Sequence, residues 1–220
     1  MYRVTVNKER LQNHLSYDWW KYVVAILVTV MLWSLITAMT RPQTPPEKKV
    51  DIFLIGDYAL DEHIQLVSQR MLDEFPELLE INIMNIPLGE GIDPQLEMAS
   101  RQKLMVMLAS QSGDIFVFNK EDYEQFAKQG AFIPLEKVVD EEILQYVSWE
   151  ELEDYKVKME ADPVSNEDTQ PRLYGIPLKG VNLFKDSGYN TEEKVISVMS
   201  YSKNTEKAAD VLKWIATEGR

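Results

Sequence analysis

Nineteen consecutive uncharged residues, YVVAILVTVMLWSLITAMT at positions 22–40, constrain this chain more than any other feature. As a helix rising about 1.5 Å per residue, the run reaches roughly 28 Å, close to a bilayer core of about 30 Å. Trp19, Trp20 and Tyr22 stand at one end, Trp33 lies inside, and Lys21 and Arg41 bracket the run. Aromatic rings and flanking cations suit a membrane interface. The run has no polar face, which a packed soluble helix keeps toward water. A buried soluble helix and a cleaved signal peptide are the other two readings. The leader of 21 residues is long, the apolar run exceeds a signal core of about 7–15 residues, and no A-x-A site follows it. These points favour an uncleaved signal anchor. Four cations precede the run and three follow it, so charge bias orients it little. The acidic part beyond tips the expectation toward a single-pass protein of a bacterial cell membrane with its C-terminal domain outside. The expected organisation is a cytoplasmic segment 1–21, a transmembrane helix 22–40, a Pro-rich stalk 41–49 and an extracytoplasmic domain 50–220.

Charge divides at the same place. The formal net charge is -13. Residues 1–50 hold seven basic and three acidic groups, net +4, whereas residues 51–220 hold sixteen and thirty-three, net -17. An acidic outer part argues against a nucleic-acid partner. The chain has no cysteine, which removes disulfides, thiolate catalysis, cysteine-bound zinc and a lipid-modified cysteine. His14 and His63 lie far apart, so no histidine metal site is expected, and no cofactor is implied. No G-x-S-x-G, P-loop, H-E-x-x-H or dinucleotide fingerprint occurs, so catalysis is not expected.

Downstream, apolar periodicity alternates between two and 3.6. VDIFLI at 50–55 reads as a buried strand, 61–75 as a helix and 80–86 as a second strand. Asp93-Pro94 is a helix start, a cap acceptor followed by proline. That helix is expected to run to about Ser110 and to bury Leu96, Ala99, Leu104, Met107 and Leu108. Met98, Met105 and Met107 are taken as adaptable packing. DIFVF at 114–118 is a third strand, Asn119 a cap, and 123–129 a helix ended by Gly130. The order β-α-β-α-β-α implies an α/β layered sheet. Residues 136–168 carry twelve acids against three lysines. They read as a solvated surface with helices near 141–147 and 150–159. A calcium site is the sharper alternative, but 162–168 lacks the EF-hand loop pattern and no metal is expected. A strand at 172–178, a strand at 195–201 and a helix at 205–217 complete the chain.

KLMVMLASQSGDIFVFNKEDYEQFAKQGAFIPLE at 103–136 resembles the first lobe of extracellular solute-binding proteins of bacterial ABC importers. Its marks are Leu108-Ala109-Ser110, the aspartate-bearing strand from Asp114, Gly130 and Ile133-Pro134-Leu135. Residues 66–87, 172–178 and 195–217 are similar to other parts of that family, so the resemblance covers 51–217 in patches. It implies a single lobe of a type II periplasmic-binding-protein-like fold: about five mostly parallel strands flanked by helices, beside one N-terminal transmembrane helix. Only about twenty residues separate Tyr174 from Val195, too few for the family's second lobe, which needs about 100. The family's lipid-anchoring cysteine is also absent, and the 22–40 run stands in its place.

A ligand on such a lobe is expected at the carboxyl ends of the strands. The loops there are 56–58, 119–123 and 179–182, and the candidate binding residues are Asp57, Tyr58, Asn119, Asp122, Tyr123 and Lys179. The tyrosines offer rings for a sugar and the aspartates accept its hydroxyls. The bland alternative for each is a turn, a cap or a packed ring. Two functions compete. One is an accessory module docking a larger membrane or surface protein, for which the missing lobe argues because the face it once covered is left open. The other is a sugar, oligosaccharide or peptide binder working with an ABC permease.

Overall fold

Strand β1 (Lys49–Gly56) is buried on both faces from Ile52 to Gly56, which makes it an interior strand. In the computed structural model, residues 8–40, 44–89, 91–136, 138–139, 141–159 and 170–219 are described, with side chains left out at 8–18, 38 and 141. The chain separates into two compact units that part after Gln43.

The first unit is helix α1 (Lys8–Thr40). Within it, Trp19–Thr37 is long and apolar enough to cross a membrane, and none of that stretch is buried.

The second unit begins at Thr44. Helix α2 (Asp61–Glu74) links β1 to β2 (Glu80–Pro87), and α3 (Pro94–Ala109) links β2 to β3 (Ile115–Asn119). Then follow α4 (Lys120–Lys128), α5 (Glu141–Leu144), α6 (Trp149–Glu153), β4 (Lys156–Val157), β5 (Arg172–Leu173), β6 (Ile176–Pro177), β7 (Lys194–Val198) and α7 (Thr205–Thr217). The main sheet has five strands in the order β2-β1-β3-β7-β6. β1 runs parallel to β2 and β3, while β7 runs antiparallel to both β3 and β6. Four of the five strands therefore share one direction. β4 and β5 form a separate antiparallel pair.

Period-two alternation sorts each strand's side chains onto two cores. Val50, Ile52, Leu54, Ile115, Val117, Ile196 and Val198 face α2 and α7, whose Ile64, Met71, Val211, Leu212 and Ile215 close that layer. Phe53, Ile55, Phe116, Phe118 and Val195 face α4, which adds Tyr123 and Ala127. Each large apolar side chain so buried contributes about 1.5–3 kcal/mol relative to exposure.

Four expectations change. The strand expected at 172–178 is two, because the chain leaves β5 for the main sheet across Tyr174 and Gly175. Gly175 is required there: a Cβ would lie 2.6 Å from Ser197 Oγ and 2.7 Å from the Tyr123 ring. The helices expected at 141–147 and 150–159 shrink to α5 and α6, since 156–157 are taken by β4. Residues 160–169, where the calcium alternative was weighed, lie outside the described residues. The α3 packing also differs: its buried residues are Ser100 and Leu104, while Leu96 and Ala99 are exposed. Finally, residues 44–49 lie on the domain. Thr44 donates to Glu80 Oε2 at 2.6 Å and Leu79 N donates to Lys48 O at 2.8 Å. Of the expected stalk, 41–43 lie outside the described residues.

Candidate functional site

The strand directions gather one set of chain ends at a single edge of the sheet. β1, β2, β3 and β6 end there, and antiparallel β7 begins there. The register pairs Asn119 with Lys194 and Gly56 with Pro87. Gly56 turns the chain in the left-handed region at φ 124°, and a Cβ on it would collide with the Lys194 side chain.

Asn85 holds the loop that follows. Its Oδ1 accepts from Ala59 N at 3.1 Å, and its Nδ2 donates to Leu54 O at 3.2 Å and to Asp57 O at 2.9 Å. Leu60 N donates to Ser187 O at 2.8 Å from the other side. This framework leaves Tyr58 pointing outward, with 57% of its surface exposed. Asp57 Oδ2 lies 3.5 Å from Lys194 Nζ. That ammonium is 5.7 Å from the centre of the Tyr189 ring. Tyr189 is buried and donates to Ile55 O at 2.7 Å. Burial first, and the Asp57 charge second, hold its hydroxyl proton well above the ordinary 10.0. Asp57, Tyr58 and Lys194 thus form an open shelf at this edge, and Tyr189 is a structural donor beneath it.

The six expected residues divide. Asp57, Tyr58 and Asn119 come to the shelf, joined through Lys194. Asn119 Oδ1 accepts from Asp122 N at 2.8 Å as the α4 cap, and Asp122 sits half-buried in the first turn. Tyr123 does not reach the surface. Its ring is fully buried, its hydroxyl donates to Tyr155 O at 2.6 Å and accepts from Tyr174 N at 3.3 Å. Burial raises its pKa far above 10.0. Lys179 lies beyond β6. Between β1 and β6 stand β3 and β7, so three strand spacings, about 14 Å, part it from Asp57. There it lines a depression of about 250 Å³ with Tyr146, Val147, Glu151, Pro177 and Gly180.

Lys194 and Asn85 belong to the shelf and were missed in the sequence. Asn85 reads as a polar residue of an alternating strand. Lys194 reads as the residue before an apolar strand, and only the antiparallel direction of that strand brings it to this edge. Among the described residues, no group of three His, Asp or Glu side chains is placed to hold a metal ion.

No protein-family model matches the chain, and no curated protein matches it. Similar solved structures do exist. A family 1 extracellular solute-binding protein from Alicyclobacillus acidocaldarius is 17% identical with a TM-score of 0.42, over 61% of this chain and 29% of that one. An N-glycan transport solute-binding protein from Streptococcus pneumoniae, in complex with Man5GlcNAc, is 16% identical with a TM-score of 0.39, over 59% and 24%. An acarbose-binding receptor from Streptomyces glaucescens is 15% identical with a TM-score of 0.40, over 59% and 28%. These neighbours are extracellular solute-binding proteins, and the chain spans under a third of the length of each.

Proposed function

We propose that residues 44–220 form a solute-binding lobe, held at a membrane by the 22–40 span, whose shelf at the carboxyl edge receives an oligosaccharide. One observation carries the reading: the exposed Tyr58 follows directly after Asp57, which is ion-paired with Lys194, on a loop pinned by Asn85. A flat ring flanked by a charged acceptor and a charged donor suits a sugar, whose C–H face stacks and whose hydroxyls both donate and accept. The sequence resemblance of 51–217 supports the same class.

A second reading is a docking module for a membrane or surface protein. It is favoured by the openness of the shelf and by the small size of the depression at Lys179. Ligand sites that enclose a small molecule measure about 300–1,000 Å³, and this one holds about 250 Å³.

The test is ligand-dependent thermal stabilisation of the full chain in nanodiscs, with maltodextrins and N-glycan fragments at millimolar concentration. Tyr58→Ala leaves the unliganded Tm unchanged and lowers affinity at least tenfold. Wild-type Tm values that no sugar moves would overturn the oligosaccharide reading.

A further inference from the structure

Two places along the carboxyl edge carry the same three chemistries. At the shelf, exposed Tyr58 follows Asp57, whose carboxylate is paired with Lys194. In the depression beyond β6, Tyr146 is 46% exposed, and Glu151 and Lys179 line the same space. Each place therefore offers a phenol ring, one carboxylate and one ammonium. The second set is assembled by the turn between α5 and α6. Val147 and Leu152 are buried on either side of that turn, and Tyr146 stays at the surface. Ser148 Oγ accepts from Glu151 N at 3.2 Å, a cap that sets Glu151 in the first turn of α6. Lys179 comes from the opposite wall, just after Pro177 ends β6.

The sheet joins the two places. Leu178 N donates to Lys194 O at 2.9 Å, so the residue before Lys179 is bonded to the residue that supplies the shelf's ammonium. From β6, the start of β7 and the end of β3 lead to the loop after β1, three strand spacings or about 14 Å in all. Neither place encloses a ligand alone. Tyr58 stands open to solvent. The depression holds about 250 Å³, below the roughly 300–1,000 Å³ of a site that surrounds a small molecule. Each place also balances one carboxylate with one ammonium, so neither selects a charged ligand, although residues 51–220 are net -17. An uncharged polyhydroxyl chain suits both, because its C–H faces stack on the rings and its hydroxyls donate and accept.

We infer that the ligand is an extended, uncharged oligosaccharide lying across the strand ends, with one sugar unit at Tyr58 and a later unit at Tyr146. The inference rests on the reading of the shelf as an oligosaccharide site, and it adds a second contact and a length requirement. Two like sets of side chains answer a ligand built of like units. A chain held at one set meets the other at high effective concentration, so two weak contacts together bind far better than either does. A monosaccharide reaches one set only.

The test is titration calorimetry of the full chain in nanodiscs with maltodextrins and N-glycan fragments of increasing length. In the series that binds, affinity rises at least tenfold from the disaccharide to the heptasaccharide. Tyr146→Ala removes that rise. Glu151→Gln, which keeps the shape of the side chain, reduces it and serves should the first variant fail to fold. Tyr58→Ala weakens every member that binds. An affinity that is flat along the series, or a rise that both depression variants retain, overturns the inference and leaves the shelf reading standing. Wild-type chain that binds no member of either series overturns the shelf reading and the inference together.

Discussion

Tyr58 lies in the loop after β1 and Tyr123 near the start of α4, which follows β3, yet one is a surface ring and the other is core. The difference lies in long-range partners. Tyr123 meets Tyr155 and Tyr174 through its hydroxyl and stacks on Phe132 with ring centres 5.9 Å apart. Tyr123→Phe keeps the packing and removes an acceptor from the buried Tyr174 amide, a loss of about 1–3 kcal/mol. Urea unfolding of the full chain in detergent measures it, and sugar affinity stays unchanged because the ring never reaches the shelf. The Asn119 cap was legible in the sequence because its partner is three residues away. The burial of Tyr123 was not legible, because its partners are 32 and 51 residues away. Lys194 is a case of the same kind. Its role depends on Asp57, which no local pattern connects to it.

Among the elements, β1, α2, β2, α3, β3 and α7 were legible because each carries a periodicity and an end signal. Asp93 shows how: its Oδ1 accepts from Gln95 N and Leu96 N at 2.9 and 3.2 Å, and Pro94 follows as the first helical residue. Which side of α3 faces the core was not legible, since both sides are apolar. The prolines of 44–49 suggest a stalk, but Glu80 draws the segment onto β2 through Thr44. Chiefly the Thr44 hydroxyl, then Asn82 and Lys49, hold the Glu80 carboxyl below its ordinary value of 4.5 against a modest burial penalty. A carboxyl with a depressed folded pKa gives its stability fully above the unfolded value, and loses it as pH falls through the folded value. The full chain therefore loses Tm as pH drops below about 4.5. Glu80→Gln flattens that part of the profile, and an unchanged slope in the variant would show that this latch contributes nothing.

At the scale of the whole molecule, the parallel order of the first three strands followed from the βαβ alternation. The direction of β7 did not. It arrives after an irregular stretch from 178 to 193 rather than a helical crossover, and its reversal is what delivers Lys194 to the carboxyl edge. Four strand ends and one strand start thus meet at the edge that carries Asp57, Tyr58 and Lys194. The most direct measurement is hydrogen–deuterium exchange of the full chain in nanodiscs, with and without a saturating oligosaccharide identified by thermal shift. The account predicts slowed exchange at 56–60 and 119–122 and at the start of β7, with 61–74 and 205–217 unchanged. Protection confined to other segments, or none at saturating ligand, would contradict a ligand site on this edge.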